Sequence, residues 1–132
     1  MRRLGRWLPV FLYLAIVFWL SAQSRPLPFL PPELWGFDKL LHAAEYAVLG
    51  MLLAAALGGE GLAPGRVLPW AVLLASAYGA SDEIHQAFVP HRDSDVRDWL
   101  ADTGGAALGA LAAAGLARRR PAADTAPGDQ FR

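Results

Sequence analysis

Apolar positions along this chain fall into four long runs, separated by joints rich in charge, proline or glycine. The first, WLPVFLYLAIVFWLSA, covers 7–22; with Leu4 and Gly5 it approaches the roughly 20 residues that a spanning helix needs. MRRLGR ahead of it also gives it the look of a secretory signal. Its bulk and its poor small-residue cleavage pattern favour a retained transmembrane helix over 5–23. The next joint, RPLPFLPPELWGF, carries Pro26, Pro28, Pro31 and Pro32, which remove backbone donors and block helix. Trp35 and Phe37 in it suit a headgroup layer.

A second helix is predicted over 38–57, with Asp38 as its N-cap or first-turn acid. Asp38, His42, Glu45 and Leu49 recur at helical spacing and share one face. After the turn GGEGLAPGR comes a third helix, 67–88, apolar at first and polar in its last turns. Asp82, His85, Gln86 and Val89 are read as one face, and Pro90 ends the helix or closely follows its end. A fourth helix spans 96–117, with Asp98, Asp102, Gly105 and Gly109 on one face. Gly105 and Gly109 form a small-xxx-small pair that lets another helix backbone approach closely. The expected architecture is an all-α, integral membrane four-helix bundle with short loops. Residues 1–117 form its domain, and a basic stop at Arg118–Arg120 leads into a disordered tail through 132.

Charge then orients the bundle. With four spans, Arg2, Arg3, Arg6, Arg66, Arg118, Arg119, Arg120 and Arg132 fall on one side; Arg25, Lys39, Arg92 and Arg97 fall on the other. The positive-inside rule places both termini in the cytoplasm of a multi-pass cell-membrane protein. The second and fourth helices then begin outside and the third ends there, which brings their polar turns to a common shallow depth. Charges at that depth should face one another or a watery cavity rather than lipid.

Composition narrows the picture. Only 18% of residues are charged, against about 25% for soluble domains. The formal net charge of zero comes with no basic face for nucleic acid, and the absence of cysteine excludes disulfides and thiolate metal sites. The stretch 81–105 holds six of the twelve acids and two of the three histidines. Asp38, His42 and Glu45 with Asp82, Glu83, His85 and Asp98 read first as a hydrogen-bonded, ion-paired network or ligand pocket. Lys39, Arg92 and Arg97 would supply its counter-charges. A divalent metal on His42, His85, Asp82, Glu83 and Asp98 is the lesser alternative, since imidazole and carboxylate suit Zn, Mn or Fe, but no strong metal motif such as HExxH is present. Acid–base catalysis comes third. Asp82 and Glu83, about 100° apart on one helix, make no dyad alone. Tyr46 and Gln86 are orienting donors or ordinary core partners, and Arg92 either grips an anion or caps the third helix. The tryptophans, near predicted helix ends, read as interface anchors.

The motifs also carry a resemblance. Asp38, Lys39, His42 and Tyr46 form an Asp-Lys-x-x-His-x-x-x-Tyr opening; Asp82, Glu83 and Gln86 form an Asp-Glu-x-x-Gln block. Arg92, Asp95 and Asp98 form an Arg-x-x-Asp-x-x-Asp run, followed by Gly105 and Gly109. Over about 5–117 the chain resembles the VanZ-like family of small membrane proteins, whose namesake is linked to teicoplanin resistance. That family commonly has Asn at the place of Asp102 and a small residue at that of His91, so the resemblance gives these two no role. It implies a four-helix membrane protein and supplies no mechanism.

The expected function is therefore a membrane protein with an outer-face polar pocket for a cell-envelope ligand, lipid-linked, cell-wall or glycopeptide-related. The pocket residues are Asp38, Lys39, His42, Glu45, Tyr46, Asp82, Glu83, Gln86, Arg92, Asp95 and Asp98. A membrane-embedded hydrolase or transferase using the same pocket, and a small dimeric transporter, are the alternatives; the sequence decides neither activity nor oligomeric state. Membrane lipid is the expected surrounding partner, and nucleic acid is not expected.

Overall fold

In a computed structural model the described residues are 2–24 and 37–119. They form four α-helices and no strand: α1 (Arg2–Ser21), α2 (Asp38–Gly59), α3 (Pro64–Gln86) and α4 (Val96–Arg119). The proline-rich joint with Trp35, and the tail from Arg120 on, lie outside the described residues. The all-α four-helix expectation holds, with shifted ends. Pro64 starts α3 three residues before the expected Val67 because its fixed φ and missing N–H suit a first helical turn. Asp38 is not the cap of α2; Phe37 is, without a side-chain hydrogen bond. The Asp38 carboxylate instead accepts the neighbouring Lys39 N–H at 2.8 Å, as a first-turn acid. α4 is capped from outside, where Asp95 Oδ1 accepts the Arg97 N–H at 2.8 Å.

Burial differs from that of a water-soluble bundle both outside and inside. The interior holds Val10, Val17, Tyr46, Leu49 and Leu53 with alanine and glycine, and among them Asp82, Glu83, Gln86, Asp98 and Asp102. Large apolar side chains such as Leu8, Phe11, Leu12, Phe18, Trp70, Leu73, Leu108 and Leu111 point outward. An exposed apolar area of this kind around an interior that also buries four carboxylates is the arrangement lipid rewards. α1, α2 and α4 are each long and apolar enough to cross a membrane. α3 does not reach that apolarity, yet at 23 residues it is about 34 Å long. Its carboxylates turn inward and Trp70, Leu73, Leu74 and Ile84 turn outward. The pattern is that of a multi-pass membrane protein.

α2 and α4 make the tightest pair, and the cause is three glycines. A Cβ placed on Gly105, Gly109 or Gly50 would run into the backbone of Ala43, Ala47 or Ala106. The expected small-xxx-small contact of Gly105 and Gly109 is thus made against α2, and Gly50 answers it from the other side. α3 joins α4 through side chains: Ser76 Oγ lies 2.9 Å from Thr103 Oγ1, and Trp99 Nε1–H donates to the Ser76 carbonyl at 3.0 Å. Trp99, read from sequence as an interface anchor, is a cross-helix tie instead; Trp19 and Trp70 stay on the outer surface.

α1 sits outermost, against α2 and α3 and away from α4. Lipid-facing apolar side chains give helices little drive to associate, so polar ties seat it. Tyr13 donates its hydroxyl to the Glu45 carbonyl of α2 at 3.0 Å, and Tyr78 of α3 donates to the Leu14 carbonyl at 2.8 Å. At the far end Arg3 Nε and Arg6 Nη1 meet the Glu60 carboxylate at 3.2 and 3.6 Å. The start of α1 and the end of α2 therefore share one end of the bundle, opposite the polar turns of α2, α3 and α4.

Candidate functional site

The polar end is built around three lines of contact. The first is a clasp at Asp95, the residue that caps α4. Its Oδ2 accepts from Lys39 Nζ at 3.2 Å, and its own N–H donates to Glu83 Oε2 at 2.8 Å. One loop residue thereby ties the start of α2, the end of α3 and the start of α4. The Arg97 N–H, and after it the Lys39 ammonium, hold the Asp95 carboxyl below the ordinary carboxylate range.

The second line runs between α2 and α4. Lys39 Nζ donates to Asp98 Oδ1 at 2.7 Å and also lies 3.5 Å from Asp38 Oδ2. One turn deeper, His42 Nδ1 and Asp102 Oδ1 are 2.9 Å apart, with the Asp102 side chain wholly buried. His42 thus turns inward, not to lipid.

The third line is on α3, where Gln86 Nε2 donates to Asp82 Oδ2 at 3.0 Å, both buried. Glu83, the neighbour of Asp82, points a different way, toward His42 and Asp98. A ligand atom from each of these three lies within 4.8 Å of the other two. At the junction of α2, α3 and α4, Gly79 leaves room for Asp102 and the Tyr46 ring; a Cβ there would stand 3.1 Å from Asp102 Oδ2 and 3.3 Å from Tyr46 Cε1.

Beside this junction, between α1, α2, α3 and the Arg92 turn, lies a cavity of about 290 Å³. Tyr13, Val17, Leu20 and Leu41 make its apolar wall. Asp38, His42, Glu45, Asp82, Gln86 and Arg92 make its polar wall, and Ser21 closes it beside α3. Four buried polar atoms around the same junction have no hydrogen-bond partner among the described residues: Glu45 Oε1, the Tyr46 hydroxyl, Glu83 Oε1 and Asp102 Oδ2. Unpaired buried polar atoms cost about 1–3 kcal/mol each, so a cluster of them is selected against unless it does something.

The family model described as VanZ/LLP1 matches residues 6–118. The chain belongs to the VanZ/LLP1 family. No curated protein and no solved structure matches it.

Within this VanZ/LLP1 bundle, ten of the eleven sequence-expected residues share contacts or the cavity. Tyr46 is at the junction, but its hydroxyl is unpartnered. Asp95 is a clasp and does not line the cavity, and neither do Glu83 and Asp98. Among the metal candidates, His42, Glu83 and Asp98 come together and Asp82 and His85 do not. His85 turns toward α1, stacked on Phe18 at a centroid distance of 4.7 Å, with Nδ1 3.4 Å from Ser21 Oγ. Three residues beyond Asp82 it is rotated about 60° from it, and that rotation lands on α1. Sequence reasoning passed over Asp102, which the helical face and depth had marked and which the resemblance set aside. It also missed the whole α1 wall; the tyrosines at Tyr13 and Tyr78, each inside an apolar run, were the available signal.

Proposed function

We propose that the cavity binds the head of an amphiphilic cell-envelope molecule, a lipid-linked phosphate or sugar, at the membrane surface. The observation that supports this is the two-sided lining: an apolar wall from α1 and α2 continuous with a polar wall that ends at Arg92. Carboxylates such as Asp82 and Glu45 suit hydroxyl donors of a sugar, and the Arg92 guanidinium suits a phosphate or carboxylate. Tyr13, Val17, Leu20 and Leu41 offer the first methylenes of a lipid chain an apolar track. The basic-residue count would put this end of the bundle on the outer face of a cell membrane.

Native mass spectrometry of the full chain in detergent tests the reading. The probes are a polyprenyl phosphate, the same lipid carrying a diphosphate-linked sugar, and the free sugar. Retention of a lipid-linked probe, weakened about tenfold by Arg92→Gln and by the cavity-filling Leu41→Trp, is expected. Equal retention by the wild type and both variants, or none of any probe, would sink it.

A further inference from the structure

We propose that His42, Glu83 and Asp98 hold one divalent cation of the Mn²⁺/Zn²⁺ class at the junction of α2, α3 and α4. Two carboxylates and an imidazole, drawn from three different helices, bring ligand atoms within 4.8 Å of one another. Ligand atoms bonded to a common ion at about 2.1–2.3 Å stand about 3.0–3.8 Å apart at cis or tetrahedral angles, and about 4.2–4.6 Å apart only when opposite. The triad therefore lies within about 1–2 Å of ligating separations.

Two independent observations point to a cation here rather than to a bare acidic cluster. Glu83 is 5% exposed, and its Oε1 is buried without a hydrogen-bond partner among the described residues. Its Oε2 is already fixed by the Asp95 N–H, so the carboxylate is oriented and one oxygen is left over. The second observation is the His42–Asp102 pair at 2.9 Å. A carboxylate on one ring nitrogen sets the tautomer, orients the ring and raises the basicity of the other nitrogen; metal-binding histidines almost always carry such a partner. With Nδ1 engaged, Nε2 is the nitrogen available to an ion.

Asp98 is shared. Its Oδ1 receives the Lys39 ammonium at 2.7 Å, which leaves Oδ2 for the cation. The half-exposed Lys39 ammonium also reaches Asp95 and Asp38, and no contact joins it to Glu83 or His42. An imidazole with two carboxylates selects Mn²⁺, Fe²⁺ or Zn²⁺ over the hard, oxygen-only preference of Mg²⁺ and Ca²⁺. The inference does not rest on the amphiphile reading, because Glu83 and Asp98 lie outside the cavity lining and only His42 belongs to both.

The test uses the full chain in detergent, stripped with chelator and titrated with Mn²⁺ alone, free Mn²⁺ being followed by electron paramagnetic resonance. No lipid probe is added, so a failure of amphiphile binding leaves the result untouched. Uptake of one Mn²⁺ per chain, displaced by Zn²⁺ and by little Mg²⁺, is expected. Pulsed resonance should show a nitrogen coupling that His42→Gln removes. Glu83→Gln and His42→Gln should each weaken Mn²⁺ binding about tenfold or more, and Asp93→Asn, an exposed acid on the same turn, should not. If Glu83→Gln loses its helical circular dichroism, Asp98→Asn carries the same comparison. Absence of stoichiometric uptake, wild-type affinity in the Glu83 and His42 variants, or an equal loss in Asp93→Asn would each overturn the site.

Discussion

Gly105→Ala should destabilise the bundle, while Gly104→Ala, one residue away, should not. A Cβ on Gly105 would collide with the carbonyl of Ala43 in α2, and one on Gly104 would meet nothing within 4 Å. A carbonyl inside a helix cannot swing aside as a side chain does, so α2 and α4 must move apart. Overpacking costs about 1–3 kcal/mol, and relief by helix separation alone puts this case near the upper figure, about 3 kcal/mol. Against it stands the gain of replacing a mid-helix glycine by alanine, about 0.5–1 kcal/mol. The net loss is about 2 kcal/mol, more than a tenfold shift in the folded-to-unfolded ratio. Gly104→Ala keeps only the gain and should hold or raise stability. Gly109→Ala and Gly50→Ala should follow Gly105, and Gly115→Ala should follow Gly104, because the first two face Ala47 and Ala106 and the last is open. Helical circular dichroism during titration with a denaturing detergent reads all five. Gly105→Ala as stable as Gly104→Ala would refute the contact, and with it the explanation of why α2 and α4 pair most closely.

Other outcomes follow from individual contacts. Trp99→Phe removes the donor to the Ser76 carbonyl and should cost about 1 kcal/mol in the same titration; an unchanged midpoint would mean that the bond does not hold α3 to α4. Asp95, whose carboxyl is held below its ordinary value, contributes stability that is complete above the unfolded value and fades as pH falls through the folded one. Wild-type melting temperature should therefore drop on acidification through that window, and Asp95→Asn should start lower and drop less; parallel pH curves would count against the clasp. For orientation, an impermeant thiol reagent applied to intact cells should label Asp93→Cys and spare Gly61→Cys, and the reverse result would invert the assignment drawn from the arginines.

The sequence displayed some of this fold more openly than the rest. Gly105 and Gly109 were legible because a four-residue spacing of glycines on a helix has a short list of uses. The shared depth of Asp38, His42, Asp82 and Asp98 was legible because helical rise is fixed. Rotation was harder. His85 was placed on the face of Asp82 and Gln86, yet those two are adjacent at four residues, and a three-residue step falls to the side where α1 packs. The partner of His42 could not be read either, since it depends on the α2–α4 register. Residues 43 and 47 opposite 105 and 109 fix that register, and nothing in the composition names them. α1 hid its role for a different reason: the side chains of a mostly bulky, apolar run look alike until the tyrosine ties decide which of them face inward.

The glycine contact and the polar junction are one construction. Ala43, the residue that Gly105 touches, directly follows His42, and Gly105 lies three residues after Asp102. Gly105 lies within one turn of Asp102 along α4, and Ala43 adjoins His42 on α2, so the backbone approach at Gly105 sets how far the His42 ring must reach to meet Asp102. At an ordinary interaxial distance of 8–10 Å, filled by side chains at the contact, that reach would be longer. A bulkier residue at 105 should therefore stretch the 2.9 Å pair as well as loosen the helices. The same separation would draw Asp98, one turn before Asp102, away from Lys39. Small residues in the apolar middle of α4 thus determine whether the charged end of the bundle can bring His42 to Asp102 and Lys39 to Asp98.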